Sequence, residues 1–326
     1  MATVEDSITT IVRLLDTNMR LVKDDGSVGK VYVSEGRYDR QLLKSYDAQV
    51  TVLLSESVDR KIGISGKKRL TIDSPRVSVW VLEKPDATES SRSIHRKMRK
   101  EIKRIIREKR TKPNITKYTF WNLDTASKTH KAYEAASTTE LIPSDESWSE
   151  ISSAGYNKIW YSDDERHSKS VNVNLQHALL LFKFKTTVKP SVLTKLELNF
   201  EGYGTSPGGN GVTIKVWNFT TQAWENAESG TGSEDETITI TLSSSLADYV
   251  GADGSIYLLA RTTKTSDGIT EAVVYCDYVD CIITVLGIKY VDLGPDRNAD
   301  RVDVKPFIWG SEFVLKTWLF ETVIVT

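Results

Sequence analysis

The sequence predicts an α+β protein: a small, helix-covered, mostly antiparallel sheet domain interrupted by an inserted all-β, jelly-roll-like sandwich. Three observations predict it. Residues 76–82 are apolar on both faces, Val77, Val79 and Val81 on one and Trp80 and Leu82 on the other, as an inner strand covered on both sides requires. Residues 312–325 have the same character, with Phe313, Leu315, Leu319, Val323 and Val325 on one face and Val314, Trp318, Phe320 and Ile324 on the other. Between these stretches, from Trp148 to Gly287, short strand-like runs alternate with Gly/Ser-rich turns.

Taken in order, Asp6 caps a first helix with Ile8, Ile11, Val12 and Leu15 on one face. Val31–Val33 reads as a short extended piece, and Tyr38–Tyr46 fits either a helical turn or an extended segment. Ala48–Leu54 is a strand, and Lys61–Ile72 a polar hairpin or flap. After the strand at 76–82, Pro85 interrupts, and Ser90 or Ser91 caps a helix in which Ile94, Met98, Ile102 and Ile105 share one face. Nearly everything else on that helix is basic. From Pro113 to Ser147 the composition is linker-like, with Tyr118–Trp121 a possible edge strand. Eight strands then follow: 158–161, 178–185, 196–201, 212–218, 237–242, 255–261, 272–275 and 279–285. A last strand too apolar to stand alone must pair back into the first sheet, which makes the sandwich an insert. The domains expected are 1–125 with 287–326, and 126–286.

Charge supports the division. The 326 residues carry a net charge of −1, yet residues 1–120 hold 26 Lys+Arg against 16 Asp+Glu, a net of +10. Residues 121–287 hold 12 against 22, a net of −10. Opposite charge in contiguous blocks suits two domains in different surroundings. Cys276 and Cys281, five apart on one strand, are expected on opposite faces roughly 16 Å apart, too far to bridge. The N-terminus lacks the basic and apolar regions of a signal peptide, and no apolar run approaches the roughly 20 residues of a membrane helix. A soluble protein made in the cytoplasm is the expectation.

No stretch spells out a reaction, so no enzyme, catalytic residue, cofactor or metal is expected. His95, His130, His167 and His177 are scattered, and His95 on the basic helix reads as a solvated side chain. Gly63–Lys68 has two residues between its glycines where a phosphate loop needs four. The glycines at 202–211 suit a hairpin loop better than a phosphate cradle. Asp163, Asp164 and Glu165, and Asp277 with Asp280, could ligate calcium, although solvated loop acids are the plainer reading. Trp160, Trp217 and Trp224 could stack on a glycan, although a sandwich core is the commoner place for them. On the basic helix, Arg96, Arg99, Lys100, Lys103 and Arg107 are candidate residues of a ring interface or lumen. A nucleic-acid surface is the competing reading.

The first helix, the strand at 50–54 and its flap, the strand at 76–82, the Arg/Lys-rich helix and the terminal strand occur in an order that resembles tail-terminator (tail-completion) proteins of long-tailed phages and archaeal tailed viruses. The resemblance covers residues 1–112 and 288–326 and lies in element order. It implies a structural virion protein of the neck or tail, assembled in the host cytoplasm. Such a subunit forms a homo-oligomeric ring, usually a hexamer, that ends the tail tube and meets tail-tube and neck or head-completion proteins, near packaged DNA and without a membrane. The inserted sandwich departs from the family pattern and is expected to project outward as a decoration. A glycan- or host-surface-binding module mounted on a virion or cell-surface assembly is the alternative.

Overall fold

The computed structural model describes residues 4–62, 68–85, 87–121 and 129–322. The chain divides into two compact units, residues 1–116 with 285–326, and residues 117–284. The first unit begins with α1 (Ser7–Asn18), β1 (Val31–Glu35), α2 (Arg40–Ser45), β2 (Ala48–Ile62), β3 (Lys68–Leu82) and α3 (Ser91–Glu108). β4 (Ile115–Tyr118) carries the chain into the second unit. There it forms β5 (Lys131–Ser137), β6 (Ser149–Glu150), α4 (Ser153–Asn157), β7 (His167–Val171), β8 (His177–Lys185), β9 (Leu193–Thr205) and β10 (Val212–Asn218). β11 (Ala223–Ser229), β12 (Glu236–Leu242), β13 (Ser255–Thr262) and β14 (Ala272–Val285) complete it, and β15 (Tyr290–Asn298) and β16 (Ile308–Thr322) return to the first unit.

The first sheet has the order β1-β2-β3-β16-β15. β1 runs parallel to β2 and the other neighbours are antiparallel. β3 is therefore an inner strand, with Val77 opposite Val52 on one side and Phe313 on the other. The pairing of β16 with β3 runs from Ile308 opposite Leu82 to Thr322 opposite Lys68. Residues 323–325 of the expected strand, and the glycine turn at 63–67, lie outside the described residues.

Both longer helices pack on one face of this sheet. Asp6 caps α1 by accepting a hydrogen bond from the Thr9 backbone N–H at 2.8 Å, and Ser90 caps α3 by accepting from Ser93 at 3.2 Å. Ile11, Leu14 and Leu15 of α1 and Met98, Ile102 and Ile105 of α3 share one buried cluster with Val50, Val77, Val79, Phe313 and Leu315. Each such side chain contributes roughly 1.5–3 kcal/mol by leaving water. α2 resolves the ambiguous segment at 38–46: Leu43 packs with Leu82, Ile308, Tyr38 and Trp80 against the opposite face.

A buried polar network closes the first unit beside the crossing. Arg13 pairs with Glu5 and donates to Thr116 Oγ1 at 2.9 Å, and Glu5 accepts from Thr10 Oγ1 at 2.6 Å. The two chain crossings are bonded to each other. The Val285 N–H donates to the Asn114 carbonyl, and the Asn114 side chain returns a bond to the Val285 carbonyl, both at 3.0 Å.

The second unit is a sandwich of two sheets, β11-β10-β13-β8-β5-β6 and β12-β9-β14-β4, with β7 pairing β14. Facing apolar rows fill it, among them Phe182, Phe184, Phe200, Leu198, Ile214 and Ile283. Gly204 and Gly211 face each other in the β9–β10 connection, where a Cβ on Gly204 would lie 2.3 Å from the Gly211 carbonyl oxygen. These glycines permit close backbone approach, but the hairpin expected at 202–211 is not formed: β9 and β10 belong to different sheets, so this connection crosses from one sheet of the sandwich to the other.

Several expectations are corrected. Residues 113–147 are not simply a linker, because β5 lies within the sandwich, paired with β8 and β6. Its short, small-residue run (Lys131–Ser137) hides Ala132 and Ala135 in the core without a strong apolar signal. Residues 158–161 are not a strand: α4 precedes them and only Trp160 forms a bridge, to Tyr278. The strands expected at 272–275 and 279–285 are one continuous strand, β14. Along β14 the buried side switches from even to odd numbers between Cys276 and Val279. Both cysteines are consequently buried, where strict alternation would have separated them, and both are free.

Replacing residues 117–284 with a short Gly/Ser linker is expected to leave a soluble, cooperatively melting domain, because Asn114 and Val285 are already adjacent. Ending the chain at Val285 removes β16 and should yield aggregated protein. Circular dichroism melting and size-exclusion chromatography of the two truncations check this. A soluble 1–285 chain with an unchanged melting curve would contradict it.

Candidate functional site

The basic helix is the most heavily charged element, and its cations fall into two sets. At 100° per residue, Arg92, Arg96, Lys100, Lys103 and Arg107 fall within an arc of about 80°, on the side away from Ile94, Met98 and Ile105. Arg99 flanks this arc. Arg99 and Lys103 both hold Asp296 of β15, Lys103 at 3.1 Å. The Arg99 hydrogen bond, ahead of that from Lys103, keeps the Asp296 carboxyl below the usual carboxylate range. Lys97 pairs with Asp24 at 2.7 Å and Glu89 at 3.0 Å, and Arg104 with Glu101 at 2.6 Å and Glu108 at 2.5 Å. Arg92 lies over the Trp309 ring at 5.5 Å. Arg96, Lys100 and Arg107 are exposed and make no ion pair among the described residues.

His95 departs from expectation. It is buried, not solvated, with Nε2 3.0 Å from Ser311 Oγ, because it borders the apolar stripe of α3 and meets β16. Ser311 is itself fully buried, so this serine–histidine pair is closed to any substrate.

On the sheet face opposite α1 and α3, strand pairing assembles an apolar surface. Val58 of β2 lies opposite Ile72 of β3, Ile72 opposite Trp318 of β16, and Trp318 opposite Tyr290 of β15. Leu70 and Phe320 pair in the next row on the same face, and Leu53, Arg76 and Val314 in an earlier one. Phe320 is 53% exposed, Leu53 41% and Val58 39%, while Ile72, Leu70, Val314 and Trp318 are half-buried. Exposed Lys316, opposite Asp292, separates that earlier row from the others on this face, so the apolar rows proper span roughly 14 Å across the strands and 7 Å along them. α2 covers the face only at its other end. A bulge in β2 between Leu54 and Ser57 brings Val58 onto this face, a shift that strict alternation along the sequence did not reveal.

In the sandwich the three candidate tryptophans do not form one platform. Trp217 is buried, edge-on to Trp224 at 5.1 Å, and Trp224 donates its indole N–H to the Leu141 carbonyl at 2.9 Å. Trp160 belongs beside β14 in the other sheet, 6.1 Å from Trp121 and 6.3 Å from the exposed Tyr161.

The candidate calcium acids are rearranged. Asp164 and Asp277 come together with Asp235, which sequence spacing did not single out, their carboxylate oxygens within 4.8 Å of one another. Asp280 goes elsewhere, held by Lys117 at 2.7 Å and Asn199 at 2.7 Å. Oxygens so placed suit a hard cation, yet a cation from the chain already spans two of them. Arg166 bonds Asp235 at 2.6 Å and Asp164 at 3.2 Å. Burial raises the pKa of Asp277.

All four histidines have lowered pKa values, each chiefly through burial. His130 falls to about 4, its ring packed among Tyr118, Phe120 and Phe184 and its Nδ1 accepting from the Lys185 N–H at 2.9 Å.

Comparison with known proteins adds three findings. A family model described as the C-terminal domain of an uncharacterized protein matches residues 127–285. No curated protein matches the chain. A solved xylan-binding module, CBM15, is similar at 10% identity and a TM-score of 0.29, over 52% of this chain and 95% of that one. Neither match supplies an activity for this chain.

The histidines set an expected pH response. The folded chain binds a proton at His130 near pH 4 and the unfolded chain near 6.5, so stability present above pH 6.5 is lost as pH falls towards 4. The loss for His130 alone is of order 3 kcal/mol. Urea unfolding from pH 8 to 4 should show this slope, and His130→Asn, which keeps an acceptor for Lys185 without titrating, should flatten it.

Proposed function

We propose that this chain is a structural subunit of a virion neck or tail that works as a homo-oligomeric ring. In this reading it ends the tail tube and joins it to the neck, in the manner of the tail-terminator proteins it resembles. The observation that carries the proposal is the apolar row Val58–Ile72–Trp318–Tyr290 with Leu70 and Phe320 in the next row, on a part of the sheet face that α2 does not cover. Exposed apolar side chains gathered in adjacent rows on an otherwise well-buried sheet mark a contact surface. Copies of one chain supply such contacts by symmetry. The tail-tube and neck proteins are the further partners this reading implies.

Sedimentation and light scattering at micromolar concentration test the ring. The expected result is a closed oligomer, formed alone or on addition of tail tubes. Val58→Asp with Phe320→Asp should weaken association roughly 100-fold while leaving the melting temperature nearly unchanged, because both side chains are exposed in the single chain. A wild-type monomer even with tail tubes present would refute the reading.

A second reading rests on the cluster of Trp160, Trp121 and Tyr161, with Tyr161 59% exposed. Aromatic faces open to solvent stack on sugar rings, so the sandwich would be a glycan- or host-surface-binding module. A glycan array should then give signals that Trp160→Ala abolishes and Trp217→Phe does not. A blank array would remove this reading and leave the ring untouched.

A further inference from the structure

We propose that the outward ridge of α3 binds the phosphate backbone of a nucleic-acid duplex without reading its bases. The ion pairs of the helix carry the inference. Lys97 is neutralised by Asp24 and Glu89, Arg104 by Glu101 and Glu108 of the same helix, and Arg99 and Lys103, the latter within the outward arc, by Asp296 of β15. Arg96, Lys100 and Arg107 point outward and have no acid beside them among the described residues. Both acids of the helix, Glu101 and Glu108, lie more than 80° around from Arg96 and are engaged by Arg104. What remains is a row of like charge, not a mixed-charge surface.

The shape of that row selects its partner. From Arg96 to Arg107 it runs about 16 Å along a convex helix, a shape that presents its cations side by side to an extended partner. A duplex strand presents one phosphate per 3.4 Å of axis, so an extended row of cations meets several at once. A protein partner fits less well. The centres of protein interfaces are depleted in lysine and rely on aromatic or aliphatic anchors, and the apolar residues of α3 all face the core. The arc carries only Arg and Lys, with no Asn, Gln, Asp or Glu to pair with a base edge, so the contact is to phosphates and is indifferent to sequence.

This inference does not rest on the ring reading. The ridge faces away from the sheet and the apolar patch lies on the sheet's other face, so either can fail alone. A monomer that binds a duplex removes the ring, and a ring that ignores duplexes removes the ridge proposal.

Fluorescence anisotropy with the full chain tests it, using labelled duplexes of about 24 base pairs in two unrelated DNA sequences and one RNA, across roughly 50–200 mM KCl. Two variants remove equal charge: Arg96→Gln/Lys100→Gln/Arg107→Gln on the ridge, and Lys158→Gln/Lys189→Gln/Lys264→Gln at exposed positions of the sandwich. The ridge variant should bind at least tenfold more weakly near 50 mM KCl. Its slope of log affinity against log salt should shrink by about 2.7, at about 0.9 per phosphate contact. The sandwich variant should stay within twofold of wild type, and the two DNA sequences within threefold of each other. Binding to either DNA or RNA with this ridge dependence supports the proposal. No binding of wild type to any duplex, equal losses in both variants, or a tenfold preference between the DNA sequences overturns it.

Discussion

The first unit depends on one strand having partners on both edges and side chains buried on both faces. β3 meets β2 on one edge and β16 on the other, and its odd-numbered valines enter the helix-covered core while Trp80 and Leu82 pack beneath α2. A strand so apolar cannot remain at a sheet edge, where its free N–H and C=O groups and side chains would recruit other chains. β16 removes that exposure, and its own two apolar faces follow from the same requirement. The helices then need only one stripe each, which is why α3 can carry so many cations and still pack closely. The buried Arg13–Glu5 pair is anchored separately, by Thr116 on β4 where the chain leaves for the second unit. Removing one member of such a pair leaves the other charge buried without compensation.

The second unit shows how a local irregularity shapes chemistry. The change of buried side along β14 turns Asp277 inward, 1% exposed, next to Cys276. There it accepts a hydrogen bond from the Asp163 N–H at 3.3 Å. Three carboxylates then converge, and Arg166 becomes the local counter-charge. The same guanidinium lies over the Tyr203 ring, which stacks on Tyr275 at 4.5 Å. Acid cluster and aromatic stack are thus tied by a single arginine.

Much of this was legible in the sequence where the signal was periodic. The caps at Asp6 and Ser90, the apolar stripe of α3, and the return of the last strand to the first sheet all follow from spacing and from the need to bury two-faced strands. Less legible were features set by tertiary context. β5 is short and alanine-rich, so its place in the sandwich is dictated by neighbours and not by its own residues. His95 reads as solvated beside so many cations, and only the approach of Ser311 on β16 buries it. The row across β2, β3, β16 and β15 depends on register and on a bulge, neither of which a linear pattern encodes. Trp217 and Trp160 are separated for a similar reason: both sit on strand-like stretches of sequence, but Trp217 lies in β10 whereas Trp160 makes only an isolated bridge to Tyr278 of β14, in the other sheet.

The route of the chain carries a consequence for biosynthesis. β3 is made early, yet β16 emerges only after the 168 residues from Lys117 to Thr284 have been translated. At about 5–20 residues per second that interval is on the order of ten to thirty seconds. Throughout it the nascent first unit has an open edge at its most apolar strand, while the later segment can already fold, since its two sheets are built almost wholly from its own residues. The order of maturation on the ribosome is thereby inverted relative to the order of synthesis: the inserted sandwich matures first and the unit begun earliest closes last. That window is when a chaperone would engage this chain.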